Sequence, residues 1–246
     1  MTPGVLFKLV VALAATTTTT ALPLEQRRRR TASLFKVRGG ATVAVRATNR
    51  AVGAAGVAAA IVASAIPEYA LEKLKFPVTD ATVALLRDNA AFLLGVCMFA
   101  ARPRTERDLL NAHAASLLAF GMNSLRRWHR KKLAQRDAAT ALVVGAVFFA
   151  AKFDRVVHPR QAYRLGVAAF ALYLWRAAFR PRRYVAARGD AGSDPNLCRR
   201  SAPGLLGLLT LSLGGLDPYL SYHRLAFRAL FLSAALWLVL TRVTEL

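Results

Sequence analysis

The chain has 246 residues, 55% of them hydrophobic, and its 35 Lys and Arg against 13 Asp and Glu give a net charge of +22. Two cysteines exclude a disulfide scaffold, and the apolar content excludes a disordered polycation. A soluble nucleic-acid-binding domain is rarely both this basic and this greasy, with a mean hydropathy of +0.34. What remains is a small helical membrane protein, or a leader followed by a helical bundle at a membrane surface.

Residues 1–50 read as a targeting leader. Lys8 is the first charge and Glu25 the second, and a short apolar run, Leu9 to Ala15, lies between them. Threonines 16–20 then lead to Ala21, which places a signal-peptidase cleavage near residue 21. The apolar run is too short to span a bilayer. Arg27, Arg28, Arg29 and Arg30 follow, and no acidic residue occurs between Glu25 and Glu68. Arginine-rich, hydroxyl-bearing, acid-free sequence has the composition of an organelle transit peptide, a cationic strand suited to an inside-negative potential.

A secretory signal followed by a transit-like segment resembles the bipartite leaders of algae with complex plastids. Ala32-Ser33-Leu34-Phe35 is similar to the Ala-Ser-Ala-Phe motif of such leaders, although four arginines precede it. The resemblance covers the first fifth of the chain and implies delivery to a plastid membrane. The alternatives are an ordinary signal peptide leading to the endoplasmic reticulum or endomembranes, and a mitochondrial presequence leading to the inner membrane.

Residues 51–246 form the helical domain. Ala and Leu recur at nearly every turn, no strand alternation is visible, and apolar segments lie at 51–67, 81–101, 109–125, 138–151, 162–179, 203–216 and 225–241. The predicted fold is all-α: a multi-pass transmembrane bundle of six or seven short helices behind a cleavable leader. Pro67, Pro77, Pro103, Pro159, Pro181 and Pro218 fall between segments, where a missing N–H costs least. Thr79-Asp80 is placed to cap the second segment and Asp137 the fourth. The stretch 180–202, with Arg188-Gly189-Asp190-Ala191-Gly192-Ser193, has flexible-loop chemistry. Gly53, Gly56 and Ala60 give the first segment the small-residue spacing of close helix packing.

The uncharged runs are short. A 17-residue run such as 51–67 or 109–125 makes a helix of about 26 Å, against a hydrocarbon core of roughly 30 Å. Arg87, Arg164, Arg176 and Arg228 lie close enough to segment ends to reach the headgroups, which extends the spans and favours a spanning bundle over a peripheral one. The loops 126–137 and 180–202 are the most basic and fall on one side if every later segment crosses. That side is then the cytosol-like or stroma-like face. Trp128 and Tyr184 beside these arginines read as interfacial anchors rather than nucleic-acid platforms.

Charges inside the segments are the candidate chemistry. Arg87, Asp88 and Asn123 lie at similar depth and form a candidate intramembrane polar site, either a proton-handling group or a structural hydrogen-bond pair. His113, Arg164 and Arg228 sit about one turn from the opposite face and form a candidate anion or headgroup cluster. The simpler reading is that each arginine snorkels separately and His113 bonds between helices. The four histidines and two cysteines have no metal-ligand spacing, Gly204, Gly207, Gly214 and Gly215 lack a P-loop lysine, and Ser212 lacks a nucleophile elbow and a nearby base. No catalytic residue, metal or cofactor is expected. The expected partners are a bilayer with anionic headgroups and other membrane-protein subunits, not nucleic acid. The expected role is structural or assembly-related within a membrane complex; the alternatives are transport of a small anionic or lipidic molecule and a lipid-acting membrane enzyme.

Overall fold

The computed structural model describes residues 39–128, 131–153, 157–191, 193–217 and 221–243. The expected signal peptide and its cleavage near residue 21, the four arginines and the Ala32–Phe35 motif lie outside the described residues. The chain divides into two units, Met1–Thr48 and Asn49–Leu246. In the first, only the opening turns of α1 are described. The second is all-helical among the described residues, as the composition predicts.

The elements in order are α1 (Gly39–Ala65), α2 (Pro67–Lys73), α3 (Asp80–Ala101), α4 (Glu106–Leu125), α5 (Lys132–Ala151), α6 (Pro159–Phe179), α7 (Pro181–Arg188), α8 (Pro195–Arg199), α9 (Ala202–Gly215) and α10 (Tyr222–Val243). Proline opens α2, α6, α7 and α8 at the first helical position, where its fixed φ fits and its missing N–H has no helical partner to lose. Thr79 caps α3 as its spacing predicts, in a reciprocal capping box with Thr82. Thr105 and Asp108 repeat the device on α4.

Among the described residues, three helices are long and apolar enough to cross a membrane: Asp80–Ala101 with 22 residues, Lys132–Ala151 with 20 and Tyr222–Leu240 with 19. Twenty-two residues make about 33 Å of helix, enough for the hydrocarbon core. α1 and α2 together pass the same test but meet at 110°. The bend falls at Ile66-Pro67, because proline cannot donate to the preceding turn. α9, with 14 residues, is about 21 Å long.

α3 is the most enclosed of the three long helices and packs against α2, α4, α9 and α10. Its Phe92, Val96 and Phe99 join Leu117, Phe120, Phe148, Phe170 and Leu208 in one continuous core. α10 is the most outward-facing, and Phe231, Leu238 and Val239 are more than half exposed on it. Exposed apolar side chains at this density mark a surface that meets something other than water.

Two expectations need correction. Asp137 does not cap α5. The helix begins five residues earlier at Lys132, and Asp137 is an interior, 2% exposed residue. Residues 180–202 are not a loose connection either. They fold into α7 and α8, with Tyr184, Val185, Arg188, Leu197 and Cys198 buried.

Candidate functional site

The most unusual chemistry is a closed cluster of charges at one end of the bundle. Five local structures supply it. Asp88 comes from the third turn of α3 and Asp137 from the second turn of α5. Arg127 follows the end of α4, where its N–H turns back to the Ser124 carbonyl. That turn sends Arg127 inward, 3% exposed, and leaves Arg126 outside. Arg188 closes α7. Gly189 then adopts φ 83°, a left-handed conformation that glycine accepts without Cβ strain. The Asp190 N–H returns to the Val185 carbonyl at 2.9 Å, and this helix stop places the Asp190 carboxylate beside the two arginines.

Arg127 bridges two carboxylates. Its Nη2 donates to Asp88 Oδ2 and its Nη1 to Asp190 Oδ2, each at 2.7 Å. Arg188 Nη2 lies 3.0 Å from the same Asp88 oxygen, and Nε lies 3.6 Å from Asp137 Oδ2. Arg188 also donates to Tyr184 Oη and Ser124 Oγ at 2.9 Å each, and stacks near the Phe120 ring. Tyr184 Oη in turn donates to Asp137 Oδ2 at 2.9 Å, while the partly exposed Arg176 reaches Asp137 Oδ1 at 3.3 Å. Three carboxylates therefore face three guanidiniums, so the ionised cluster is neutral as a whole. Burial works against the charge of Arg188, yet Tyr184 and the three carboxylates outweigh it and hold the guanidinium above its ordinary value. Burial also pushes the Tyr184 phenol well above its usual range.

This cluster ties α3, α4, α5, α6 and α7 together at the end that carries both strongly basic loops. It leaves almost no room inside. The void beside Asp88, Asn89 and Arg188 measures about 10 Å³, the space of one water. A small-molecule site needs roughly 300 Å³ or more. A second, open pocket of about 190 Å³ lies over the cluster, between the start of α3 and the end of α4, and includes Arg87, Asn123, Arg126 and Arg127.

Arg87, Asp88 and Asn123 are placed near one another but not as partners. Asp88 points into the charge cluster, Arg87 Nε donates to the Ser64 carbonyl at 3.3 Å, and Asn123 offers its backbone carbonyl to Arg127 Nε at 3.4 Å. His113, Arg164 and Arg228 are not brought together. Both arginines are exposed, whereas His113 is wholly buried. His113 Nδ1 lies 2.8 Å from the Leu109 carbonyl, which accepts only, so Nδ1 carries the proton. Nε2 is then an acceptor, and the Ser212 hydroxyl donates to it at 2.8 Å.

Ser212 thus has a neighbouring base that its sequence context does not reveal. Serine and imidazole in this relation are two of the three members of a nucleophilic triad. Both side chains are fully buried, and Phe148 stacks on the imidazole with ring centroids 4.6 Å apart. The pair joins α4 to α9 and offers no face to a substrate.

Arg127, Asp137, Arg188 and Asp190 carry no motif. The one sequence signal available is that 180–202 holds the apolar pairs Tyr184-Val185 and Leu197-Cys198 among its arginines. Among the described residues, no group of three or more His, Cys, Asp or Glu is arranged to hold a metal. No family model, curated protein or solved structure matches this chain.

Proposed function

We propose that this chain is an integral membrane protein with a structural or assembly role in a membrane complex. The observation that carries the reading is the contrast between outside and inside. Apolar side chains face outward on the membrane-length helices, while Asp88, Arg127, Asp137, Tyr184, Arg188 and Asp190 pair with one another beside a void too small for a cargo. In this reading α3, α5 and α10 cross the bilayer. α4, α6 and α9 complete the bundle, with the arginines of α4 and α6 drawn to the headgroups, and α1 is the seventh segment. The charge cluster lies at the cytosol-like or stroma-like end. It acts as a clasp that fixes which helices are neighbours, a specificity role attested for buried polar groups in other helical assemblies.

The transport reading has less support, because Asp88, Asn123, His113, Arg164 and Arg228 do not converge on one cavity. The enzyme reading has less support, because the serine–histidine pair is sealed. For localisation, we propose the plastid membrane, reached through the secretory leader.

The test is biochemical. The full chain, expressed with its leader, should resist alkaline carbonate extraction, require detergent for release, and migrate on native gels in an assembly larger than its own mass. Leader-free protein that stays monodisperse in plain buffer overturns the membrane reading. Robust anion or lipid flux in liposomes holding the pure chain overturns the structural one. A reporter fused to residues 1–50 tests the address; secretion or retention in the endoplasmic reticulum removes the plastid proposal.

A further inference from the structure

We propose that the open pocket between α3 and α4 is a binding site for a phosphate ester, specifically the headgroup of an anionic phospholipid. The pocket has about 190 Å³ of space, with Arg87 on α3 and Asn123 and Arg126 from the end of α4 along its wall. That volume is below the usual size of a metabolite site and suits a compact headgroup. The charges are suited to it as well. Arg127 forms the floor, but Asp88 and Asp190 already neutralise it from beneath at 2.7 Å. The working cations are therefore Arg87 and Arg126. Arg87 spends its Nε on the Ser64 carbonyl, which holds the side chain in place with its two terminal nitrogens remaining. Two planar guanidiniums lining one pocket can each present paired donors to the oxygens of a phosphate, with Asn123 as a further donor.

The surroundings distinguish a lipid from a free anion. Val83 and Ala84 make up the remaining wall, and Met122 and Leu125 are exposed on the turn beside Asn123. A charged pocket continuous with apolar surface binds a phosphate that brings acyl chains with it. Trp128, 43% exposed just beyond, sits where an aromatic side chain marks the headgroup level. This inference rests on the membrane reading only for the lipid source; the anion site stands on the pocket itself.

The experiment is a thermal-shift and binding titration of the full chain in mild neutral detergent. The ligands are phosphatidylglycerol, phosphatidylcholine and inorganic phosphate. The variants are R87Q/R126Q, which spares the clasp residue Arg127, and R164Q/R228Q, which removes two exposed arginines elsewhere. Phosphatidylglycerol should raise the melting temperature of the wild type and of R164Q/R228Q, and R87Q/R126Q should bind it about tenfold or more weakly. Phosphatidylcholine should do little. If inorganic phosphate reproduces the shift and the pocket variant abolishes it, the phosphate site holds and its lipid source is wrong. Equal shifts in the pocket variant and the wild type overturn the site. If R87Q/R126Q does not fold, R87K/R126K keeps the charge without the planar fork, and undiminished binding by it overturns bidentate recognition. A site that binds phosphate in a chain soluble without detergent would leave the anion site standing while the membrane reading, and the lipid source with it, fell.

Discussion

Replacing Arg188 by methionine tests whether the charge cluster holds the bundle together. Methionine keeps much of the side-chain volume and the contact with Phe120 but removes the charge and its donors. At an effective dielectric of about 20, the 3.0 Å contact with Asp88 alone corresponds to about 5 kcal/mol of gross attraction. The cost of stripping water from the ions offsets much of that, but the cost has already been met for the remaining carboxylates. With Arg188 gone, the guanidiniums of Arg127 and the partly exposed Arg176 remain beside Asp88, Asp137 and Asp190, and the cluster loses one of the three charges that balance its carboxylates. Breaking a buried pair from one side typically costs about 3–5 kcal/mol. For a chain of this size that is a fall of about 6–20 °C in melting temperature. The assay is thermal unfolding in detergent, followed by circular dichroism, on Arg188→Met, Asp88→Asn and the double variant. The two single losses should exceed the double loss by about 1 kcal/mol or more when their sum is compared with it, since both remove the same contact. A shift of less than about 2 °C for Arg188→Met, or strict additivity, would refute the reasoning.

Three further outcomes follow from the geometry. A Cβ on Gly53 would fall on the backbone N of Ala101 and 2.8 Å from the Cys97 carbonyl oxygen, atoms that cannot rotate away. Gly53→Ala should therefore push α1 from α3 and cost about 1–3 kcal/mol, read as a lower melting temperature. Burial pushes the Cys198 thiol up to about 12, so it should resist maleimide at neutral pH in the folded chain and label far faster in Arg188→Met, where the covering helices α7 and α8 loosen. Tyr184 has a folded-state value well above its unfolded one, so its contribution is complete below about pH 10 and is lost as the pH rises beyond that. Thermal stability should stay level to about pH 10 and then fall, more gently in Tyr184→Phe than in the wild type.

The helical segments were legible because they depend on local chemistry. The apolar segment 81–101 becomes α3 with its Thr79 cap, and 162–179 becomes α6 behind Pro159. The boundary at Asp137 misled because an aspartate ahead of an alanine run has cap chemistry. Here Tyr184 and Arg176, tens of residues away, pair with it in the middle of a turn. The stretch 180–202 misled for a related reason. Its arginines, glycines and aspartates have the composition of a solvated loop. Arg188 and Asp190 become interior residues only when partners from α3, α4 and α5 neutralise them. Asp88 was identifiable as a charge inside an apolar segment, but its partners were not. Ser212 likewise acquires its base from a helix about a hundred residues earlier.

Composition, proline placement and apolar periodicity by themselves determined the helical segments among the described residues, some of membrane length and with basic ends, since each is a property of one residue and its near neighbours. Which charges cancel, which histidine meets which serine, and where a pocket remains open were decided by tertiary structure alone. Those outcomes depend on distances between helices, and the free energy of a buried charge is set by whatever stands a few ångströms away, not by the residue that carries it.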